Sequence, residues 1–163
     1  MIFQALDRAR PRIAPLAGAV LLVVANAAFA IGSSDYVIED AQYEIDNGNF
    51  EEAVIVLEEV IEAEGENADL LNLMGYSLRN LDRDQEAMDF YNQALAMDPD
   101  HQGALEYQGE LYLKMGNQAA AEANLAKLAD LCPDGCDAHG ILQTAIERFK
   151  DGGVTSWVPP SRK

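Results

Sequence analysis

Both cysteines of the chain lie in one short loop, and they are the residues with the clearest capacity for chemistry. The loop reads LADLCPDGCDAHG over residues 128–140, with three residues between Cys132 and Cys136 and with His139 three positions further on. A C-x3-C-x2-H arrangement can hold a soft metal such as copper(I). Two thiols at this spacing can also form a redox pair or a structural disulfide. The spacing alone leaves these three interpretations open.

The N-terminal segment bears on this choice, because disulfides form and persist in oxidising compartments. Three arginines lie within its first twelve residues, followed by the apolar run Leu16 to Ala25 and the tripeptide Ala28-Phe29-Ala30. The apolar run is short for a bilayer span, and the tripeptide fits the A-x-A site of signal peptidase. We therefore predict a Sec-type signal peptide over residues 1–30 and a periplasmic protein. The alternative is an uncleaved segment that anchors the protein in the inner membrane.

The charge of the chain argues against two classes of ligand. The sequence has 28 acidic and 11 basic residues, for a net charge of −17. Residues 1–30 hold three of the arginines and one aspartate, so the remainder has 27 acidic and 8 basic residues and a net charge near −19. Such a surface repels nucleic acid and anionic membranes. It is compatible with a soluble chain and with a basic partner or a cation.

Beyond this leader the chain contains three copies of one pattern at a fixed period. The segment over 68–99 reads ADLLNLMGYSLRNLDRDQEAMDFYNQALAMDP, and it aligns with QGALEYQGELYLKMGNQAAAEANLAKLADLCP over 102–133. The aligned positions include a small residue, an alanine and a closing proline, which are Gly75, Ala87 and Pro99 in one segment and Gly109, Ala121 and Pro133 in the other. A more divergent copy precedes them, with Asp40 and Glu44 where apolar residues are expected.

Each copy is predicted to form two amphipathic helices, because apolar residues recur at steps of three and four, as in Val54, Leu57 and Ile61. Gly75 and Gly109 fall inside helices, where a glycine costs about 1 kcal/mol relative to alanine. We expect the two helices of a copy to approach closely at these glycines.

The turns between the helices contain residue types that favour helix starts. The candidate N-cap residues are Asn49, Asp82 or Asp84, and Asn117. The sequence also has only two histidines. One of them, His101, lies beside a junction between copies and is expected to face solvent.

The pattern of small, aromatic and closing proline positions resembles the tetratricopeptide repeat family over roughly residues 34–133. The resemblance implies an all-α fold, a solenoid of three helical hairpins over 34–67, 68–101 and 102–135. A stack of repeats needs a terminal cap, and an apolar stripe in residues 136–150 predicts a seventh, capping helix. The chain then continues into a flexible tail over residues 151–163, in which we expect Trp157 to lie away from the repeats.

The resemblance also implies a binding surface, because the first helix of each repeat lines a concave groove in this family. Asparagine and tyrosine in such a groove suit hydrogen bonding to an extended peptide. Chaperone-binding members clamp a terminal carboxylate with basic residues, whereas the matching positions here are mostly neutral or acidic, so that ligand class is not expected. Carried over position by position, the implied partner-binding residues are Gln42, Asn72, Tyr76, Arg79, Asn80, Glu106, Glu110 and Lys114.

No motif of an enzyme is present: the sequence lacks a Ser/His/Asp order of a known hydrolase, a glycine-rich phosphate loop and a zinc pattern. We therefore predict no enzymatic activity and no cofactor. The favoured function is a protein–protein interaction scaffold of the bacterial cell envelope that binds a peptide or protein in the groove. A simpler alternative is a spacer between partners that dock elsewhere.

A second function class uses the cysteine loop. It is a periplasmic metal- or thiol-redox-handling protein in which Cys132 and Cys136, with His139, do the chemistry. We favour a structural disulfide instead, because the two cysteines flank the turn between the last repeat and the predicted capping helix. Pro133 and Gly135 allow a tight bend at that place.

Overall fold

The structure is a computed structural model that describes residues 38–152. The predicted signal peptide over residues 1–30 and Trp157 in the predicted tail lie outside the described residues. Within the described range there are seven α-helices and no strands, which confirms the predicted all-α helical repeat fold. The helices are α1 (Ile38–Asp46), α2 (Phe50–Glu64), α3 (Ala68–Asn80), α4 (Asp84–Met97), α5 (Gln102–Lys114), α6 (Gln118–Leu131) and α7 (Asp137–Lys150). None of them is long and apolar enough to cross a bilayer.

The helices pack as successive hairpins. The pairs α1–α2, α3–α4 and α5–α6 each form one hairpin, and each hairpin packs on the next. Helix α7 packs against both α5 and α6. The helices α3, α5 and α7 begin at residues 68, 102 and 137, so α7 follows the spacing of the first helix of a hairpin. It covers the apolar surface that α5 and α6 leave at the end of the stack, with Leu142 and Ile146 buried there.

The two glycines inside helices mark close approaches, but not of the same kind. A Cβ on Gly75 would lie 2.7 Å from the ring of Tyr91, which is fully buried, so α3 and α4 meet here as predicted. A Cβ on Gly109 would lie 2.6 Å from a methyl carbon of Leu142. The nearest neighbour of Gly109 therefore belongs to α7 and not to α6, the second helix of its own hairpin.

The N-cap residue differs from the sequence-based expectation at one of three turns. Asn117 is the N-cap of α6 and accepts a hydrogen bond from the backbone N–H of Ala120 at 3.3 Å, as predicted. Asn49 is the N-cap of α2, also as predicted, although its side chain makes no cap bond and donates instead to the Glu44 carboxylate at 2.7 Å. The residue at the N-cap of α4 is Arg83, so the prediction of an aspartate there is wrong. Asp82 and Asp84 instead accept hydrogen bonds from a lysine of the next hairpin, which removes their carboxylates from the cap.

His101 does not face solvent, and that expectation is also wrong. Its side chain is 13% exposed and lies between two hairpins. The Nδ1 atom accepts a hydrogen bond from the N–H of Ala104 at 3.0 Å, so His101 is the N-cap of α5. The Nε2 atom lies 2.9 Å from a carboxylate oxygen of Asp69 on α3. This histidine thus links the second hairpin to the third.

Candidate functional site

A cleft lies between α3, α5 and α7, and we call it the α3–α5–α7 cleft. Its volume is about 1160 Å³. The residues that line it are Asn72 and Leu73 from α3, Gln102, Gly103, Glu106 and Tyr107 from α5, and Cys136, Asp137, Ala138, Gly140, Ile141, Thr144 and Arg148 from α7 and its N-cap. Helices α3 and α5 are the first helices of two successive hairpins, and α7 follows them at the same spacing in the sequence.

Two glycines and an asparagine shape the walls of this cleft. Asn72 is only 7% exposed, and its Oδ1 atom has no hydrogen-bond partner among the described residues. A Cβ on Gly103 would lie 3.2 Å from the Asn72 Nδ2 atom, so the absence of a side chain at Gly103 leaves the asparagine room. A Cβ on Gly140 would meet nothing within 4 Å. A ligand can therefore approach the helix backbone closely at Gly140, while a buried acceptor lies at Asn72.

Two of the eight predicted binding residues, Asn72 and Glu106, line the α3–α5–α7 cleft. Two others are buried and bound to each other: Arg79 Nη1 lies 2.6 Å from Glu110 Oε2, and their side chains are 8% and 2% exposed. The Arg79 guanidinium also lies 5.5 Å from the ring centroids of Tyr76 and Tyr107. The pair is thus buried, and two of the protein's own tyrosine rings lie beside the guanidinium.

The protonation behaviour of this buried pair follows from its surroundings. Burial raises the pKa of Glu110 above its usual value, and the Arg79 guanidinium opposes that rise. Burial would lower the pKa of Arg79, but the facing Tyr91 and Glu110 groups raise it overall. Burial also raises the pKa of Tyr91 well above that of a free phenol. The Arg79–Glu110 ion pair is thus buried, and contact of these two residues with a partner stays a prediction.

The remaining predicted binding residues make hydrogen bonds within the chain. Lys114 Nζ lies 2.7 Å from carboxylate oxygens of both Asp82 and Asp84. Asn80 donates to the backbone carbonyl of its helix neighbour Tyr76 at 2.8 Å, and Gln42 donates to Asp46 at 2.8 Å. Contact of these residues with a partner stays a prediction, and the structure brings none of them into the α3–α5–α7 cleft.

Sequence reasoning missed the wall that α7 contributes. The apolar stripe in residues 136–150 indicates only a cap, yet the repeat period continues into them. The positions that follow Glu106 and Lys114 by one repeat period are Gly140 and Arg148, and both line the cleft. The signal was therefore present in the repeat register, although the residue types of the other repeats are not preserved in α7.

The distribution of ion pairs singles out Arg148. The described residues contain six lysines and arginines. Five of them pair with carboxylates, in Arg79–Glu110, Arg83–Glu86, Lys114–Asp82 and Asp84, Lys127–Asp100 and Lys150–Glu122. Arg148 is the sixth, it is exposed on the cleft wall, and it has no ion pair within the described residues.

The cysteine loop joins α6 to α7 at one end of the cleft. Cys132 is the C-cap of α6 and Cys136 is the N-cap of α7. The structure links their sulfur atoms, with the Cα atoms 5.8 Å apart, a separation typical of disulfides. Gly135 has a φ of +91°, a backbone conformation that residues with a side chain adopt only with strain. The oxidation state of the pair in the cell stays a prediction.

The alternative of a metal site at the cysteine loop finds no geometric counterpart. Within residues 38–152 no group of three or more histidine, cysteine, aspartate or glutamate residues could hold a metal ion. The proposed set of Cys132, Cys136 and His139 is thus not assembled in the part of the chain that the structure describes.

Comparison with known proteins agrees with the architecture. A family model described as tetratricopeptide repeat matches residues 39–101 and 91–135. Among solved structures, a tetratricopeptide repeat protein from Parabacteroides merdae is similar in fold, with a TM-score of 0.58 and 22% sequence identity over 71% of this chain. This chain corresponds to 45% of that protein's length, and the likeness shows the fold alone. No curated protein matches the sequence.

Proposed function

Because the chain belongs to the tetratricopeptide repeat family, whose repeats generally mediate protein–protein interaction, we propose that it is a non-enzymatic scaffold that holds a protein or peptide partner in the α3–α5–α7 cleft. The observation that carries this proposal is the cleft itself, with a volume of about 1160 Å³ and a buried amide oxygen at Asn72. Buried polar groups are nearly always hydrogen-bonded in folded proteins. A donor supplied by a partner would satisfy this one.

The dimensions of the cleft suit an extended peptide. Its α7 wall runs from Asp137 to Arg148, which is about 16 Å at a rise of roughly 1.5 Å per helical residue. An extended segment of about five residues covers that distance, since each residue of a strand advances roughly 3.3 Å. Apolar contacts come from Leu73 and Ile141, and polar ones come from Thr144 and the charged residues at the two ends.

A cleft-blocking variant tests this proposal. In Gly140→Trp the indole enters the cleft from a helix position with open space around its Cβ, so the fold should be retained. The matched control is Ala119→Trp, which adds the same side chain at an exposed position of α6 away from the cleft. We expect the first variant to reduce partner capture from envelope extracts at least about tenfold, with both variants fully helical by circular dichroism. Equal capture by the two variants would place the partner on another surface.

We also propose that the scaffold works in the bacterial cell envelope. Support comes from the signal-like segment over residues 1–30 and from two cysteines positioned to bond with each other. Structural disulfides are typical of exported proteins and rare in reducing compartments. Fractionation of cells that express the full-length chain, followed by immunodetection, checks this location, and a signal confined to the cytosol would contradict it.

A further inference from the structure

Three hydrogen-bond acceptors line the α3–α5–α7 cleft from three different helices. Asn72 on α3 and Glu106 on α5 are 7% and 4% exposed, and Asp137 lies exposed in the first turn of α7. The Asn72 Oδ1 atom has no hydrogen-bond partner among the described residues. Asp137 likewise takes part in no ion pair within the described part of the chain.

The repeat register places the two carboxylates on facing helices. Gly103 lies against Asn72, since a Cβ at Gly103 would be 3.2 Å from the asparagine side chain. Asp137 follows Gly103 by one repeat period, and Glu106 follows Asn72 by the same interval. By this register the next pair of helices, α5 and α7, carries an acidic residue at each of the two corresponding positions, and both residues line the cleft. A binding position with carboxylates on both walls favours a cation.

We propose that the α3–α5–α7 cleft recognises a basic side chain, a lysine or an arginine in an extended segment of the partner. The inference rests on the function proposed above and names the chemistry of its ligand. The ammonium or guanidinium group would lie between Glu106 and Asp137, and the Asn72 amide oxygen would serve as a further acceptor. The strong negative charge of the chain, −17 overall, attracts such a partner and speeds its association.

The competing ligand is an anion bound by Arg148, and burial decides between the two. Arg148 is exposed at the far end of the α7 wall, where an ion pair is screened by water and contributes little. Glu106 is buried, and a charge-assisted hydrogen bond to a buried carboxylate is much stronger. A basic group in the cleft therefore gains more than an acidic group at its rim.

Small blocked amino acids provide the test, because they isolate one side chain from the rest of a partner. The probes are the acetylated methylamides of lysine, arginine, norleucine and glutamate, titrated into nitrogen-15-labelled protein purified after export. We expect saturable shifts of the Gly103 and Gly140 amides and of the Asn72 side-chain amide with the two basic probes. Norleucine and glutamate should leave these signals in place.

Charge-neutralising variants then locate the cation. Glu106→Gln and Asp137→Asn should each weaken binding of the basic probes about tenfold or more, since each removes a charge-assisted hydrogen bond. The matched control is Glu62→Gln, which removes one negative charge from an exposed site on α2 and should change the affinity less than twofold. Asp137 is exposed, so Asp137→Asn keeps the test valid if Glu106→Gln fails to fold.

Two results would overturn the proposal. One is equal affinity of the basic probes for Asp137→Asn, Glu106→Gln and the control, which would mean that only the overall charge matters. The other is binding of the glutamate probe that is lost in Arg148→Gln, which would make the cleft an anion site. Capture of the partner by Gly140→Trp distinguishes failure of this proposal from failure of the proposed function. Lost capture without preferential binding of the basic probes refutes only the basic ligand, whereas retained capture refutes the cleft as the docking surface.

Discussion

Replacing each of three helical glycines by alanine separates steric crowding from helix propensity. Glycine costs up to about 1 kcal/mol relative to alanine inside a helix, so alanine gains that term wherever its methyl group has room. Gly140 has such room, with nothing within 4 Å of its Cβ position, and Gly140→Ala should stabilise the protein. At Gly75 the methyl group would lie 2.7, 2.8 and 3.0 Å from three atoms of the Tyr91 ring. Because that ring is rigid and fully buried, overpacking should cost about 1–3 kcal/mol.

The two substitutions share the propensity term, so the difference between their free energies of unfolding measures the steric cost alone. We expect Gly75→Ala to be less stable than Gly140→Ala by about 1–3 kcal/mol. Gly109→Ala should fall between them, because its methyl group meets the two terminal methyl carbons of Leu142, which are more adaptable than a ring. Urea unfolding followed by circular dichroism measures all three under one condition. If Gly75→Ala is as stable as Gly140→Ala, the approach of α3 to α4 is not limited by the missing Cβ.

Three further predictions concern the leader, the cysteine loop and the buried ion pair. Signal peptidase should cleave after Ala30, so the intact mass of exported protein should correspond to a chain starting at Ile31; a full-length, membrane-retained product would favour the anchor instead. Changing both cysteines to serine should destabilise the protein by about 2 kcal/mol at most, since the closed loop is short. Amide hydrogen exchange should then rise in residues 137–150 at milder conditions than in helices α1 to α4; unchanged exchange in residues 137–150 would show that the disulfide does not stabilise α7. Glu110→Ala leaves the buried Arg79 guanidinium without its carboxylate partner and should cost about 3–5 kcal/mol in thermal or urea unfolding, whereas Glu110→Ala combined with Arg79→Met should cost less; equal losses would show that the charge pairing is not what matters.

The sequence was sufficient to predict the helical repeats, because the information for them is local. Apolar steps of three and four, small residues at helix crossings and a fixed repeat period are properties of single helices and of neighbouring hairpins. The Gly75–Tyr91 contact follows from the same pattern, since both residues belong to one hairpin. Predicting these features does not require the rotation angle between one hairpin and the next.

The binding surface was harder to predict, because it depends on packing between hairpins. Position within a repeat assigned Arg79 and Glu110 to an open groove, whereas in the structure two tyrosines close over the guanidinium and the two charges meet. The role of His101 as a cap was missed for a similar reason, since its partner Asp69 lies 32 residues away. Side-chain pairings at that range depend on rotamers and on the angle between helices, which a single sequence does not state.

The order of helix contacts has a consequence for how the chain folds. In the described residues every pair of packed helices is either adjacent in the sequence or separated by a single helix, and the buried Arg79–Glu110 pair joins residues only 31 apart. Such a low contact order means that little loop-closure entropy is lost before contacts begin to stabilise the chain, which is typical of domains that fold in microseconds to milliseconds. Folding can also begin at more than one hairpin and spread to its neighbours. Between residues 38 and 152 no step has to bring α1 and α7 together, so the unfolding of α1 or of α7 does not require the unfolding of the middle hairpin.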